Sequence, residues 1–113
     1  MIKRILLFKV KEDARDEQIE TLERDLLRMP EEIPALRWHR LGHNLCSMRP
    51  GQVPYTHIWE TGYDDVQGLQ AYTTHPFHTD VVHPYFDSAS PSCVVEQLVM
   101  VYYECPGDPH DAG

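Results

Sequence analysis

Residues 2–10, Ile-Lys-Arg-Ile-Leu-Leu-Phe-Lys-Val, alternate as a strand does, with Ile2, Arg4, Leu6, Phe8 and Val10 on one face and Ile5 and Leu7 on the other. Both faces are partly apolar, so both are expected to be covered. The period then changes. Over 15–29, Ile19, Leu22, Leu26, Leu27 and Met29 recur at helical spacing, with Asp13 or Asp16 as the predicted N-cap and Pro30 as the stop. Ala35 to Asn44 reads as a second strand, a turn follows around Pro50 and Gly51, and Tyr55 to Thr61 reads as a third strand. Asp64 to Thr73 predicts a second helix, with Val66, Leu69 and Tyr72 or Thr73 turned inward. His75-Pro76 ends it, because a residue before proline avoids the α region. A short helical turn over 77–83 is closed by Pro84, and Cys93 to Tyr103 forms the last strand. Residues 105–113 have no apolar periodicity and are expected to be a flexible tail on a single domain of residues 1–104.

The order strand, helix, strand, strand, helix, strand is the ferredoxin-like α+β pattern, a βαββαβ protomer with an antiparallel sheet and two helices on one face. The other face is expected to carry large apolar residues, among them Phe8, Trp59 and Val95 or its neighbours. Covering that face calls for a second copy of the chain.

Composition narrows the partners. Leu, Ile, Val and Phe account for 27 of 113 residues, enough for a packed core and too many for a disordered chain. Ten basic residues against 18 acidic give a net charge of −8, and no basic cluster offsets it, so no nucleic-acid partner is expected. Residues 11–32 hold nine acids against four bases, which fits the solvated face of the first helix. No apolar run is long enough to span a membrane, and Lys9 and Lys11 interrupt any signal-peptide core. A cytoplasmic location without a membrane partner is expected. The three cysteines are far apart and form no C-x-x-C pair, which argues against a disulfide scaffold or a cysteine zinc site.

Chemistry gathers around the histidines. His57 lies mid-strand on the face of Tyr55 and Trp59, where it is either a hydrogen-bonded structural residue or a group that polarises a ligand. Tyr72, His75 and His78 recur every three residues where a helix ends. There, one histidine can act as general base while Tyr72 donates to a carbonyl or developing oxyanion; alternatively, Tyr72 packs under the sheet and the histidines cap the helix. A metal site through His75, His78 and His83 would need an unbroken helix, which Pro76 denies. No nucleophile elbow, phosphate loop or dinucleotide fingerprint is present. Any reaction is therefore expected to be proton transfer without cofactor or metal.

Three segments, the opening strand, Tyr55-Thr56-His57-Ile58 and Tyr72-x-x-His75-Pro76-x-His78, resemble the stress-responsive dimeric α/β-barrel (Dabb) domain. The resemblance implies a homodimer whose two sheets close a barrel around a cavity for a small hydrophobic, carbonyl-bearing molecule. Some members of that family are stress-associated proteins without assigned chemistry. Others are small polyketide cyclases of the olivetolic acid cyclase type, which perform an aldol cyclisation. By position, the cyclase roles fall on Tyr72 as carbonyl-orienting donor and His78 as general base, with His75 structural. Arg4, Leu6 and Phe8 from the first strand and His57 and Trp59 from the third would line the substrate. The family often has a histidine where this chain has Arg4. Arginine stays charged and suits a substrate carboxylate or a partner-chain acid. The non-catalytic alternative is a stress-responsive or small-molecule-binding protein.

Overall fold

The computed structural model describes residues 1–45 and 55–106. The expected Pro50–Gly51 turn and most of the expected tail, residues 107–113, lie outside the described residues. The chain forms β1 (Ile2–Val10), α1 (Asp16–Glu32), β2 (Trp38–His43), β3 (His57–Tyr63), α2 (Val66–Thr74) and β4 (Val95–Glu104). A π-helical turn, Phe77–Val82, and a 3-10 turn, His83–Tyr85, separate α2 from β4. All three strand pairings are antiparallel, in the sheet order β2-β3-β1-β4. This is the ferredoxin-like α+β fold. No helix among the described residues is long and apolar enough to cross a membrane.

Strand β1 is one of the two inner strands, paired with β3 on one side and β4 on the other. Leu6 lies opposite Trp59 on β3 and Met100 on β4, and Arg4 lies opposite Thr61 and Tyr102. Ile2, Arg4, Leu6, Phe8 and Val10 therefore share the helix-covered face, and all five are buried. Phe8, Trp59 and Val95, expected on the uncovered face, belong to this core instead, at 0%, 0% and 5% exposure. Alternation separates the two sets of side chains, but β1 is apolar on both faces, so parity does not say which set the helices cover. The uncovered face carries the other set, Ile5 and Leu7 beside Val99, Val101 and Tyr103. A bulge at Lys9/Val10 shifts the register, so Val10 pairs with Val95 while Lys9 pairs with Gln97.

Helix α1 buries Leu22, Leu26 and Met29 on the sheet. Leu27, expected inward, is half exposed, because it lies about 100° around the helix from Leu26. The N-cap is Arg15 rather than an aspartate, and its backbone N–H donates to Gln18 Oε1 at 2.8 Å. Pro30 does not end the helix. It sits in the last turn, and the chain continues to Glu32 before the Ile33 N–H closes on the Met29 carbonyl at 2.8 Å. Asp65 caps α2 by accepting from the Gly68 N–H at 2.8 Å. Within α2, Tyr72 is buried, whereas Val66 in the first turn and Thr73 face outward.

Candidate active site

The end of α2 builds the site. Pro76 holds His75 in an extended conformation, φ −67° and ψ 137°, which breaks the helix after Thr74. The His75 imidazole turns back on the backbone, its Nδ1 accepting from the Phe77 N–H at 3.0 Å, a structural role. The π-helical turn that follows is wider than an α turn. It swings His78 under the helix end, where His78 Nδ1 lies 3.0 Å from the Thr73 carbonyl. A carbonyl only accepts, so Nδ1 carries the proton and Nε2 keeps its lone pair. The same bond satisfies a carbonyl that the helix end would otherwise leave open.

The Tyr72 and His78 rings lie 4.7 Å apart. The Arg4 guanidinium sits 5.3 Å from the centre of the Tyr72 ring. Arg4 is 6% exposed and has no carboxylate partner among the described residues, and its Nε makes no hydrogen bond. Burial opposes its charge, but the phenols of Tyr72, Tyr63 and Tyr102 favour it and raise its pKa overall. Burial pushes the Tyr72 phenol up, against the opposing pull of Arg4. The Tyr72 hydroxyl donates to the weak acceptor Met29 Sδ at 3.9 Å and also interacts with Arg4 and Tyr63. Burial, and after it the Arg4 charge, hold the His78 imidazole below its usual value. At neutral pH the site thus offers a neutral imidazole with a free Nε2, a protonated phenol and an arginine cation.

These groups line a cavity of about 330 Å³ between the β1–β4 side of the sheet and the turns after α2. Leu6, Leu26, Val82, Phe86, Leu98 and Met100 supply its apolar walls, and Thr73, His83 and Tyr102 complete the lining. Four residues predicted for the site therefore meet here: Arg4, Leu6, Tyr72 and His78. Three do not. Phe8 is sealed in the core between His57, stacked at 4.8 Å, and Phe86, edge-on at 5.3 Å. Trp59 is fully buried beside His39, and His57 lies on the β2 side of β1 facing Glu23. They share the parity of Leu6, but β3 carries His57 and Trp59 away from the β4 flank, and Phe8 lies below the cavity wall. Sequence reasoning also missed Leu26 and the β4 residues. The signal for β4 was present: Leu98, Met100 and Tyr102 alternate, and one correct register with β1 places them beside Leu6 and Arg4.

The lowered histidines make stability depend on pH. Burial holds His39, His57 and His78 below the ordinary imidazole value. The unfolded chain therefore takes up these protons first as pH falls, and protonation draws the equilibrium towards it. The melting temperature is expected to be flat above about pH 7 and to fall from about pH 6.5 downwards, through the depressed folded-state values. Thermal melts from pH 8 to 5 on wild type and His78→Gln should show a shallower decline in the variant. Identical curves would mean that His78 titrates normally.

The family model described as the stress responsive A/B barrel domain matches residues 2–99. No curated protein matches the chain. Among solved structures, a protein from Arabidopsis thaliana is similar at TM-score 0.77 and 19% identity, over 96% of this chain and 98% of that one. A dimeric ferredoxin-like protein of unknown function from Thermobifida fusca is similar at TM-score 0.72 and 23% identity, over 92% and 90%. A hydroxynitrile lyase from Passiflora edulis is similar at TM-score 0.73 and 17% identity, over 96% of both chains. At these identities the likeness is one of fold.

Proposed function

The chain belongs to the stress-responsive A/B barrel domain family, and from that premise we propose a homodimeric, cofactor-independent acid/base enzyme. It binds a small hydrophobic, carbonyl-bearing molecule in the cavity beside His78 and catalyses an aldol cyclisation of the polyketide-cyclase type. One observation carries this reading: the bond from His78 Nδ1 to the Thr73 carbonyl leaves Nε2 as the free base beside Tyr72.

The chemistry follows from the three groups. His78 Nε2 takes the proton from a carbon flanked by two carbonyls, becoming imidazolium. The enolate oxygen is held by the Tyr72 hydroxyl and the Arg4 cation, and the apolar walls keep water from weakening both interactions. The enolate carbon forms a bond to a third carbonyl carbon further along the same molecule, whose oxygen then recovers the proton from His78. The similarity in fold to a hydroxynitrile lyase is compatible with this reading, since removing a hydroxyl proton from a cyanohydrin also calls for a positioned base.

The test is solvent deuterium incorporation at the central carbon of a hydrophobic 1,3-diketone, which reports proton abstraction without the natural substrate. Wild type is expected to exceed the buffer rate, with Tyr72→Phe intermediate. If wild type matches buffer across diketones of several chain lengths, a binding protein is the better reading.

The homodimer rests on the uncovered sheet face. Val99, Val101 and Tyr103 of β4 are between 42% and 53% exposed beside Ile5 and Leu7, a continuous apolar strip that an isolated protomer would present to water. Light scattering is expected to give twice the protomer mass for wild type and a monomer for Val101→Asp. A monomeric wild type would remove this part of the proposal.

A further inference from the structure

On the far flank of the helix-covered face, three side chains from three elements converge: Glu23 of α1, His43 at the end of β2 and His57 at the start of β3. The register places His43 directly opposite His57. One ligand atom from each residue lies within 4.8 Å of the other two. His43 Nε2 is 2.9 Å from Glu23 Oε2, and His57 Nε2 is 3.8 Å from Glu23 Oε1. The two imidazoles meet edge to face, 4.9 Å apart.

The hydrogen bonds of Thr56 assign the His57 tautomer. Thr56 Oγ1 accepts from the Val10 N–H at 3.1 Å and lies 3.2 Å from the Phe8 carbonyl, to which it donates its one proton. Its remaining lone pair meets His57 Nδ1 at 2.7 Å, so Nδ1 is the donor and Nε2 carries the lone pair. His57 is 4% exposed, and among the described residues this Nε2 has no hydrogen-bond partner within 3.5 Å. A buried lone pair thus points at a carboxylate, acceptor against acceptor, at a separation that neither can close with a hydrogen bond. A bound cation resolves the conflict.

We propose that Glu23, His43 and His57 form a binding site for a borderline divalent cation of the zinc class. Two imidazole nitrogens and one carboxylate suit Zn²⁺, with a further position left for water. The bond from His57 Nδ1 to Thr56 is the kind of outer contact that orients a metal-binding histidine. His43, 63% exposed in its side chain, leaves the site open to solvent, and the ion would tie α1 to the β2–β3 pair. This group is distinct from the His75, His78 and His83 trio considered from sequence spacing. It also stands apart from the His78 cavity and does not depend on the proposed reaction.

The test titrates the metal-free full chain with Zn²⁺ by calorimetry and with Co²⁺ by visible absorption. Wild type is expected to bind one ion per chain, to melt at higher temperature with Zn²⁺, and to give a Co²⁺ spectrum without a thiolate charge-transfer band. His43→Ala changes an exposed position and Glu23→Gln keeps the shape of a partly buried side chain, so both should fold. Each is expected to weaken binding at least about tenfold and to lose the thermal shift. Absence of saturable binding, unchanged affinity in both variants, or a thiolate band from a cysteine ligand would each overturn the proposal.

Discussion

Replacing His78 with alanine is expected to lower diketone deuteration by about 10²–10⁴-fold, the range usual for losing a positioned general base. The dimer and the melting temperature at neutral pH should stay close to those of wild type. No other group on the cavity wall repeats the His78 geometry. His83 is exposed, its ring 6.4 Å from that of His78, and the His75 nitrogen is committed to the Phe77 N–H. Arg4 is always charged and cannot serve as a base. The variant also opens a space of imidazole size next to Tyr72, so added imidazole should restore part of the rate. That rescue separates a missing base from a distorted pocket. If His78→Ala keeps the full rate, the base lies elsewhere. If it loses the rate and imidazole does not restore it, His78 acts by shaping the site.

Replacing Phe8 with alanine is expected to cost about 3–5 kcal/mol of unfolding free energy, the usual penalty for emptying a buried aromatic site. That is a large share of the roughly 5–15 kcal/mol that holds a domain of this size together. Phe8 is completely buried, with the His57 ring stacked on it at 4.8 Å and the edge of Phe86 at 5.3 Å. Strand β1 runs through the centre of the sheet, so neighbouring side chains have little freedom to close the void. Urea unfolding measures the loss, and Phe8→Leu should recover much of it by keeping most of the volume. A loss under about 1 kcal/mol would mean that Phe8 fills a yielding surface.

The elements of this fold were legible because the periods of two and 3.6 are strong in β1, α1 and β4. Which side of the sheet the helices cover was not. Phe8 and Ile5 are both large and apolar, and only the docking of Leu22, Leu26 and Met29 distinguishes their faces. The local part of the site was readable for a related reason. Tyr72, Thr73 and His78 lie within one short segment, and Pro76 marks its irregular backbone. Residues that reach a site through the register of distant strands leave a much weaker trace. The pairing of His43 with His57, with Glu23 above them, joins three elements whose spacing along the chain is unremarkable.

The inner position of β1 also governs how the protein can be made. Phe8 pairs with His57 on one side and Leu98 on the other, so neither neighbour exists while the first strand is being synthesised. Local helices can form early, but the sheet must wait for contacts that span most of the chain, which slows folding relative to a helical bundle. Through that interval the stretch Ile5–Phe8 is a short, apolar, strand-prone segment open to pairing with its own kind. Lys3 and Arg4 before it and Lys9 and Lys11 after it place like charges at both ends. Two nascent chains that align through this segment bring those charges together, so the basic flanks act as gatekeepers until β3 and β4 arrive.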